Sequence, residues 1–376
     1  MSVAMNIREI KTPALLLERP KLMANLRRMA ARAEALGVAL RPHMKTAKSA
    51  EVAKLALEEG ARGIAVSTLA EAAYFLDRGI GDILYAVGVA PAKLDEIASL
   101  AARGGDIKIV TDNMVAARAI ADHPAAYSVL IEVDTGDGRL GLDPLDPELI
   151  EVARAIQSSG RSRVLGVMTH AGQSYDARDP AQMARIAEGE RAGAVAAAKR
   201  LRQAGFASPI VSVGSTPTAT HARNLSGVTE TRPGVYMLGD LFQAGIGSCA
   251  TGDVALSVLA SVIGHRPKDN AAILDAGALA LSKDRSTEKL AGGDLGFGQV
   301  CGLDGRPWPG VTVIGVSQEH GRVSAPAPLP FERLAIGSRV RVLPNHACIT
   351  AAGHDLYHVL DGGVEVAATW DRCRGW

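Results

Sequence analysis

From Val38 onward the chain alternates short apolar runs with longer, alanine-rich segments. The apolar runs are Ala39 to Arg41, Gly63 to Ser67, Asp82 to Val87, Asp106 to Val110, Ser128 to Val133, Val164 to Thr169, Pro209 to Val213 and Gly227 to Thr231. Each is too short for a helix and rich in branched residues, so it reads as a buried strand. Segments of helical length lie between most of them, such as Ala50 to Glu59, Ala70 to Arg78, Ala92 to Arg103 and Met183 to Ala204; Pro20 to Leu36 precedes them as an amphipathic helix ending at Gly37. Eight strands alternating with helices predict an α/β fold built as a parallel (β/α)8 TIM-like barrel, with an open doubly wound sheet as the alternative. After about Gly252 the texture changes: Val254 to Val262, Ala271 to Leu274, Val311 to Gly315, Arg339 to Leu343, Leu356 to Leu360 and Val364 to Thr369 are β-rich runs without helices between them. They predict a mainly antiparallel β domain, which the short strand Thr12 to Leu17 is expected to join. The expected division is a barrel over 18–248 and a β domain made of 1–17 and 249–376.

Composition narrows the function classes. The 376 residues are enough for two domains, and with only 4% aromatic residues the 47% hydrophobic content must pack as Ala, Val, Leu and Ile. Forty-one basic against forty acidic residues leave a net charge of +1, which gives no electrostatic basis for nucleic acid or a membrane surface as partner. No uncharged apolar run of membrane-spanning length occurs, and Met1 to Glu9 lacks the apolar core of a signal peptide, so a cytoplasmic location is expected. Cys249, Cys301, Cys348 and Cys373 are widely spaced, as in a reducing compartment rather than a disulfide framework.

A closed barrel carries its chemistry at the carboxyl ends of its strands. The first strand there delivers Arg41-Pro42-His43-Met44-Lys45-Thr46. An amine held among cationic groups and partly desolvated can attack a carbonyl and form a Schiff base, which makes Lys45 the leading catalytic candidate. The seventh strand runs into Gly214-Ser215-Thr216, a phosphate cradle or a helix N-cap. The eighth adds Arg232-Pro233-Gly234-Val235-Tyr236. A lysine at the mouth of the first strand, facing a phosphate site across the barrel, is the arrangement pyridoxal phosphate requires. Arg139 lies in the glycine-rich loop Asp134 to Gly141, which also reads as an Asp-Gly surface turn. His170 and Tyr175 follow the sixth strand. In the β domain, Pro344-Asn345-His346-Ala347-Cys348 puts an imidazole and a thiol two residues apart, on one face if the segment is extended. Such a pair suits zinc or another borderline divalent ion, with a buried cysteine beside a chance histidine as the alternative. Glu319 and His320 could reach the same point.

Together these motifs resemble the fold-type III pyridoxal phosphate enzymes of the D-serine dehydratase and D-threonine aldolase family, whose barrel is of the alanine racemase amino-terminal type. The resemblance runs over nearly the whole chain. It implies that Lys45 carries pyridoxal phosphate, that Arg139 contacts the phenolic oxygen, that Tyr175 meets the pyridine nitrogen and that His170 lies near the ring. It implies that Gly214, Ser215, Thr216, Gly234, Val235 and Tyr236 hold the phosphate, and that His346 and Cys348 bind the metal, zinc or else manganese, magnesium or cobalt. It further implies a homodimer whose active sites lie at the subunit interface, acting on a small D-amino acid.

Within the family, Pro-Asn-His-x-Cys with a Gly-Ser-Thr loop is the dehydratase pattern. Loss of water from a D-3-hydroxy amino acid is therefore expected, with Lys45 removing the α-proton and the metal drawing off the β-hydroxyl. Retro-aldol cleavage, with His43 or His320 as base, is the first alternative. Racemisation is the second, and would need a tyrosine such as Tyr357 on the opposite face. Arg41, Arg232 and Arg285 are the candidates for binding a second substrate carboxylate.

Overall fold

The structure, a computed structural model, describes residues 5–376. It divides into two compact units, Arg27–Gly234 with Cys373–Trp376, and the described part of Met1–Leu26 with Val235–Arg372. The second boundary falls before Val235 because the segment that follows is tied to the β unit. Met237 O accepts from Asn25 Nδ2 at 3.1 Å, and Leu241 N donates to Pro344 O at 3.0 Å.

In chain order the strands are β1 (Met5–Asn6), β2 (Ala14–Glu18), β3 (Ala39–Leu40), β4 (Ile64–Val66), β5 (Asp82–Gly88), β6 (Asp106–Thr111), β7 (Ser128–Glu132), β8 (Arg163–Met168), β9 (Ile210–Val213) and β10 (Glu230–Thr231). They continue as β11 (Leu256–Arg266), β12 (Ala271–Leu274), β13 (Gln299–Cys301), β14 (Pro307–Val316), β15 (Gly321–Ser324), β16 (Arg339–Leu343), β17 (Leu356–Leu360) and β18 (Glu365–Asp371). Strands β3 to β10 form one parallel sheet in the order β3-β10-β9-β8-β7-β6-β5-β4. Ala65 N donates to Pro42 O at 2.9 Å and Met44 N to Ala65 O at 2.7 Å, which closes the sheet into the barrel.

One interior layer consists of Ala65, Leu84, Val110, Leu130 and Met168, one residue from each of five adjacent strands. Outside, helices such as Glu148–Gln157 bury Leu149, Val152, Ala153 and Ile156, the spacing of a single helix face. At the amino ends of the strands the interior turns ionic. Arg41 bonds Glu230 through Nε at 2.9 Å and Asp82 through Nη1 at 2.9 Å, and Lys108 reaches Asp82 at 2.8 Å. Gly63, at φ +65°, passes so close that a Cβ would collide with the Arg41 guanidinium and the Asp82 carboxylate. Arg41 is therefore spent in the barrel and is not a candidate for a substrate carboxylate.

In the β unit, β11, β12, β15, β14, β13 and β16 close into an antiparallel barrel through the β11–β16 pairing. β2 adds to its edge antiparallel to β11, and β17, β18 and β1 extend the sheet beyond it. Two short helices interrupt what the sequence reads as helix-free: Ala278–Leu281 and Ala347–Ala352. Inside this unit Arg341 and Glu18 form a buried pair at 2.7 Å, with Arg341 Nε also donating to Ser257 Oγ at 3.0 Å. Removing one charge of such a pair strands the other. Glu18→Met is expected to destabilise the protein by about 3–5 kcal/mol in urea unfolding, whereas Glu18→Met with Arg341→Met recovers most of that loss. A single mutant within about 1 kcal/mol of wild type would show that the pair is solvated.

Candidate active site

The turn after β3 presents Lys45. His43 N donates to Pro233 O at 2.9 Å and Lys48 N to Met44 O at 2.7 Å, while Met44 is fully buried. Pinned on both sides, the turn leaves Lys45 exposed. The nearby Lys48, in contrast, is bonded at 3.0 Å to the wholly buried Glu71.

The loop carrying Arg139 is held by two strand-end carboxylates. Asp134 Oδ1 accepts from the N–H groups of Gly136 and Asp137 at 2.8 and 2.9 Å, and Asp112 Oδ2 from Gly141 N at 2.9 Å. Arg139 stays half exposed, 3.5 Å from Asp137. After β8, His170 and Tyr175 lie with ring centroids 6.4 Å apart. After β9, Ser215 is the N-cap of the helix Thr216–His221 and shares a capping box with Thr218. The Gly-Ser-Thr loop is thus a helix cap as well as a candidate phosphate cradle, and Ser215 Oγ also meets Ser174 Oγ at 2.7 Å. The Gly214 N–H is committed to the Glu190 carboxylate at 2.8 Å. Gly214 itself, at φ +116°, has no room for a Cβ, which would strike the Thr231 hydroxyl and lie 2.9 Å from Arg232 N.

Charge at this end of the barrel is cationic. Burial, then the charges of Lys45 and Arg139, push His170 down to about 3. Burial, then Lys45 and Arg232, put His43 well below the ordinary range. Both rings are therefore neutral at working pH, and their tautomers follow from their partners. His43 Nδ1 faces the Lys45 N–H at 3.4 Å, so its ring proton sits on Nε2 and the ring offers a donor, not a base. His170 Nδ1 faces Gly214 O at 3.4 Å, so it carries the proton and leaves Nε2 as an acceptor. Arg232 is buried, donating to Ser212 Oγ and Thr169 O at 2.6 Å each, yet among the described residues its Nε and the Thr231 hydroxyl have no hydrogen-bond partner. Buried polar atoms without partners beside a helix N-terminus, in a cationic field, suit an anionic, hydrogen-bonding group such as pyridoxal phosphate.

Val235, Tyr236, His320, His346 and Cys348 belong to the β unit. Val235 and Tyr236 are buried in the turn Val235–Met237. His346 and Cys348 do come together, but not on an extended strand. His346 is the N-cap of the helix Ala347–Ala352, and Cys348 lies in its first turn. The helix forms here because Asp240 Oδ2 accepts from Ala347 N at 3.0 Å, satisfying one of its free donors. Asn345 fixes the approach by donating to Asp284 O and Gly296 O at 2.9 and 2.7 Å.

His346 Nδ1 faces Asp284 Oδ2 at 3.1 Å. Burial opposes a charge on His346, but its hydrogen bonds to Asp284 and Cys348 raise it to about 10; against burial, the same contact with His346 and that with Ser286 hold Asp284 at about 2. A carboxylate on one imidazole nitrogen, with a thiol near the ring, is the donor set of a half-built divalent metal site with its orienting second shell. Among the described residues no group of three or more His, Cys, Asp or Glu converges as a metal site, and Glu319 and His320 stand on an exposed turn before β15. His354 donates from Nε2 to Ala280 O at 3.1 Å, a structural contact. Tyr357 is fully buried with the Arg372 guanidinium 5.2 Å from its ring centre, which leaves it no exposed phenol for racemisation. Arg285 has one nitrogen on Asp294 and a buried Nε without a hydrogen-bond partner among the described residues.

Residues 18–241 match the alanine racemase, N-terminal domain family, and residues 255–360 match the putative serine dehydratase domain family. The chain belongs to the alanine racemase-type family. Within that family it is similar to the D-threo-3-hydroxyaspartate dehydratase of Delftia sp. (strain HT23), 47% identical over 378 residues and covering 98% of each chain. A D-threonine aldolase of Arthrobacter sp is 32% identical over 366 residues, covering 95% of this chain and 91% of its own. A mutant of D-threo-3-hydroxyaspartate dehydratase solved in its metal-free form superimposes with a TM-score of 0.96 at 45% identity, over 99% of this chain and 100% of the other. The barrel with its added β unit is thus the family's fold.

Proposed function

We propose that the protein is a pyridoxal phosphate- and divalent metal-dependent lyase that removes water from a D-3-hydroxy amino acid, D-threo-3-hydroxyaspartate or D-serine, giving a 2-oxo acid and ammonia. The observation that carries this reading is one chain combining an exposed lysine in a cationic barrel mouth with a His346–Cys348 pair backed by Asp284. Its likeness to a dehydratase over nearly its whole length supports the elimination. When bound, pyridoxal phosphate supplies an electron sink for charge at Cα and a divalent ion supplies a Lewis acid for the departing hydroxyl.

The chain's own residues do the rest. Lys45 would hold the cofactor, and its amine would take the α-proton. Arg139 and His170 would hold the ring, Tyr175 would bond its nitrogen, and Ser215, Thr216, Gly234, Val235 and Tyr236 would hold the phosphate. Gly214 serves that loop as the residue that turns it, since its N–H is already bonded. His346 and Cys348 hold the metal, with zinc, manganese, magnesium or cobalt as candidates. The working unit is proposed to be a cytoplasmic homodimer in which each active site is completed by the partner's β unit.

Retro-aldol cleavage is the rival, favoured by the likeness to an aldolase. It would rely on His320, because His43 offers its proton outward. Supplying D-threo-3-hydroxyaspartate, D-serine and D-threonine separately tests the choice. The expected products are 2-oxo acid and ammonia; glycine plus an aldehyde as the sole products would make the enzyme an aldolase.

A further inference from the structure

Glu190 lies in the middle of the helix Pro180–Gln203, whose buried face is otherwise made of Met183, Ala187, Ala194, Ala197, Ala198 and Leu201. The spacing calls for an apolar side chain there, and a carboxylate at 2% exposure is costly unless donors meet it. Three do. Glu190 Oε1 accepts from Gly214 N at 2.8 Å, and the carboxylate also takes the N–H of Ala171 and the hydroxyl of Thr218. Each donor belongs to an element that bears on the cofactor site. Gly214 opens the Gly-Ser-Thr loop, Thr218 completes the Ser215 capping box, and Ala171 immediately precedes the turn Gly172–Asp176 that carries Tyr175.

We propose that Glu190 is a positioning residue whose carboxylate clamps the Tyr175 turn to the phosphate loop, and so sets the tilt of the cofactor ring relative to Lys45. The inference rests on the pyridoxal phosphate reading above. Two further contacts run along the same seam: Ser174 Oγ to Ser215 Oγ at 2.7 Å, and His170 Nδ1 to Gly214 O at 3.4 Å. Neither can replace the carboxylate, because neither satisfies the buried N–H groups of Gly214 and Ala171. A glutamine cannot replace it fully either. Its carbonyl oxygen can keep Gly214, but its NH2 group confronts a donor where the second carboxylate oxygen accepted. Burial raises Glu190 to about 7, and the hydrogen bonds from Gly214, Thr218 and Ala171 pull against that rise.

The test is Glu190→Gln, stripped of pyridoxal phosphate and titrated with it. The dissociation constant for pyridoxal phosphate is expected to rise on the order of 10–100-fold, the range for losing a hydrogen bond to a charged group. At saturating cofactor, kcat is expected to fall while substrate KM stays within about twofold, the split of a misaligned ring rather than lost substrate binding. A folded Glu190→Gln that binds the cofactor and turns over like wild type overturns the proposal. If that variant does not fold, Glu190→Asp, which keeps the charge and leaves the Ser215 capping box whole but draws the carboxylate back by one carbon, decides in its place: weaker cofactor binding supports the clamp, and unchanged binding overturns it. Wild-type protein that takes up no pyridoxal phosphate would instead remove the cofactor reading on which the clamp depends.

Discussion

Lys45→Ala is expected to lower turnover by at least about 10³-fold and to abolish covalent retention of pyridoxal phosphate, because one side chain is proposed both to hold the cofactor and to move the α-proton. Nothing nearby can take its place. Lys48 is the adjacent amine, but its Nζ is bonded to buried Glu71 at 3.0 Å. Arg139 and Arg232 supply charge without a nucleophilic nitrogen, so Lys45→Arg should be as inactive as the alanine variant. The measurement is borohydride reduction followed by peptide mass spectrometry. Wild-type protein should carry the reduced cofactor at Lys45, and the variant nowhere. Reduced cofactor on another lysine, or turnover within tenfold of wild type, would remove Lys45 from the mechanism. Folding should not confound the comparison, since the side chain is exposed and the turn is pinned by the backbone bonds of His43, Met44 and Lys48.

The reason Lys45 can be read from the sequence is positional. Each barrel strand is a short apolar run followed by polar residues, and all eight runs identified in that way are strands of the barrel. The antiparallel unit is harder. β12, β16 and β17 coincide with their apolar runs, whereas β13 has only three residues and β15 reads Gly-Arg-Val-Ser, both too short and too mixed to give a period of two. The helix Ala347–Ala352 escapes notice for another reason. Its capping acceptor, Asp240, lies 107 positions away, and a six-residue stretch of Ala, Cys, Ile and Thr announces no cap of its own. Asp284 is similarly invisible, 62 positions from His346. Glu190 illustrates the opposite failure: a charged residue in an alanine-rich helix reads as solvated, and only the three donors opposite it make it interior.

If His346 and Cys348 hold a divalent ion as proposed, Cys348→Ala and His346→Ala should each abolish its binding and reduce elimination by about 10²–10⁴-fold, since such an ion's share of the barrier is several kcal/mol. The two substitutions should behave alike because the donor set is minimal. With no third His, Cys, Asp or Glu converging among the described residues, loss of either donor leaves too few to hold the ion. Asp284→Asn should do less: the imidazole keeps a partner on Nδ1 but loses a charged one, so metal affinity falls on the order of 10–100-fold and excess metal restores activity. Elemental analysis of dialysed protein, with turnover measured at graded metal concentrations, separates the three. Cys348 is only partly buried in a short helix capped by Asp240, so its alanine variant should melt within a few degrees of wild type. Full activity in a metal-free Cys348→Ala protein would mean that the β-hydroxyl leaves without Lewis-acid help, and would transfer that task to a protein acid. If the variant instead lost 2-oxo acid formation but still released glycine and an aldehyde, the metal would be required for elimination alone, and the barrel mouth around Lys45 would suffice to break the Cα–Cβ bond.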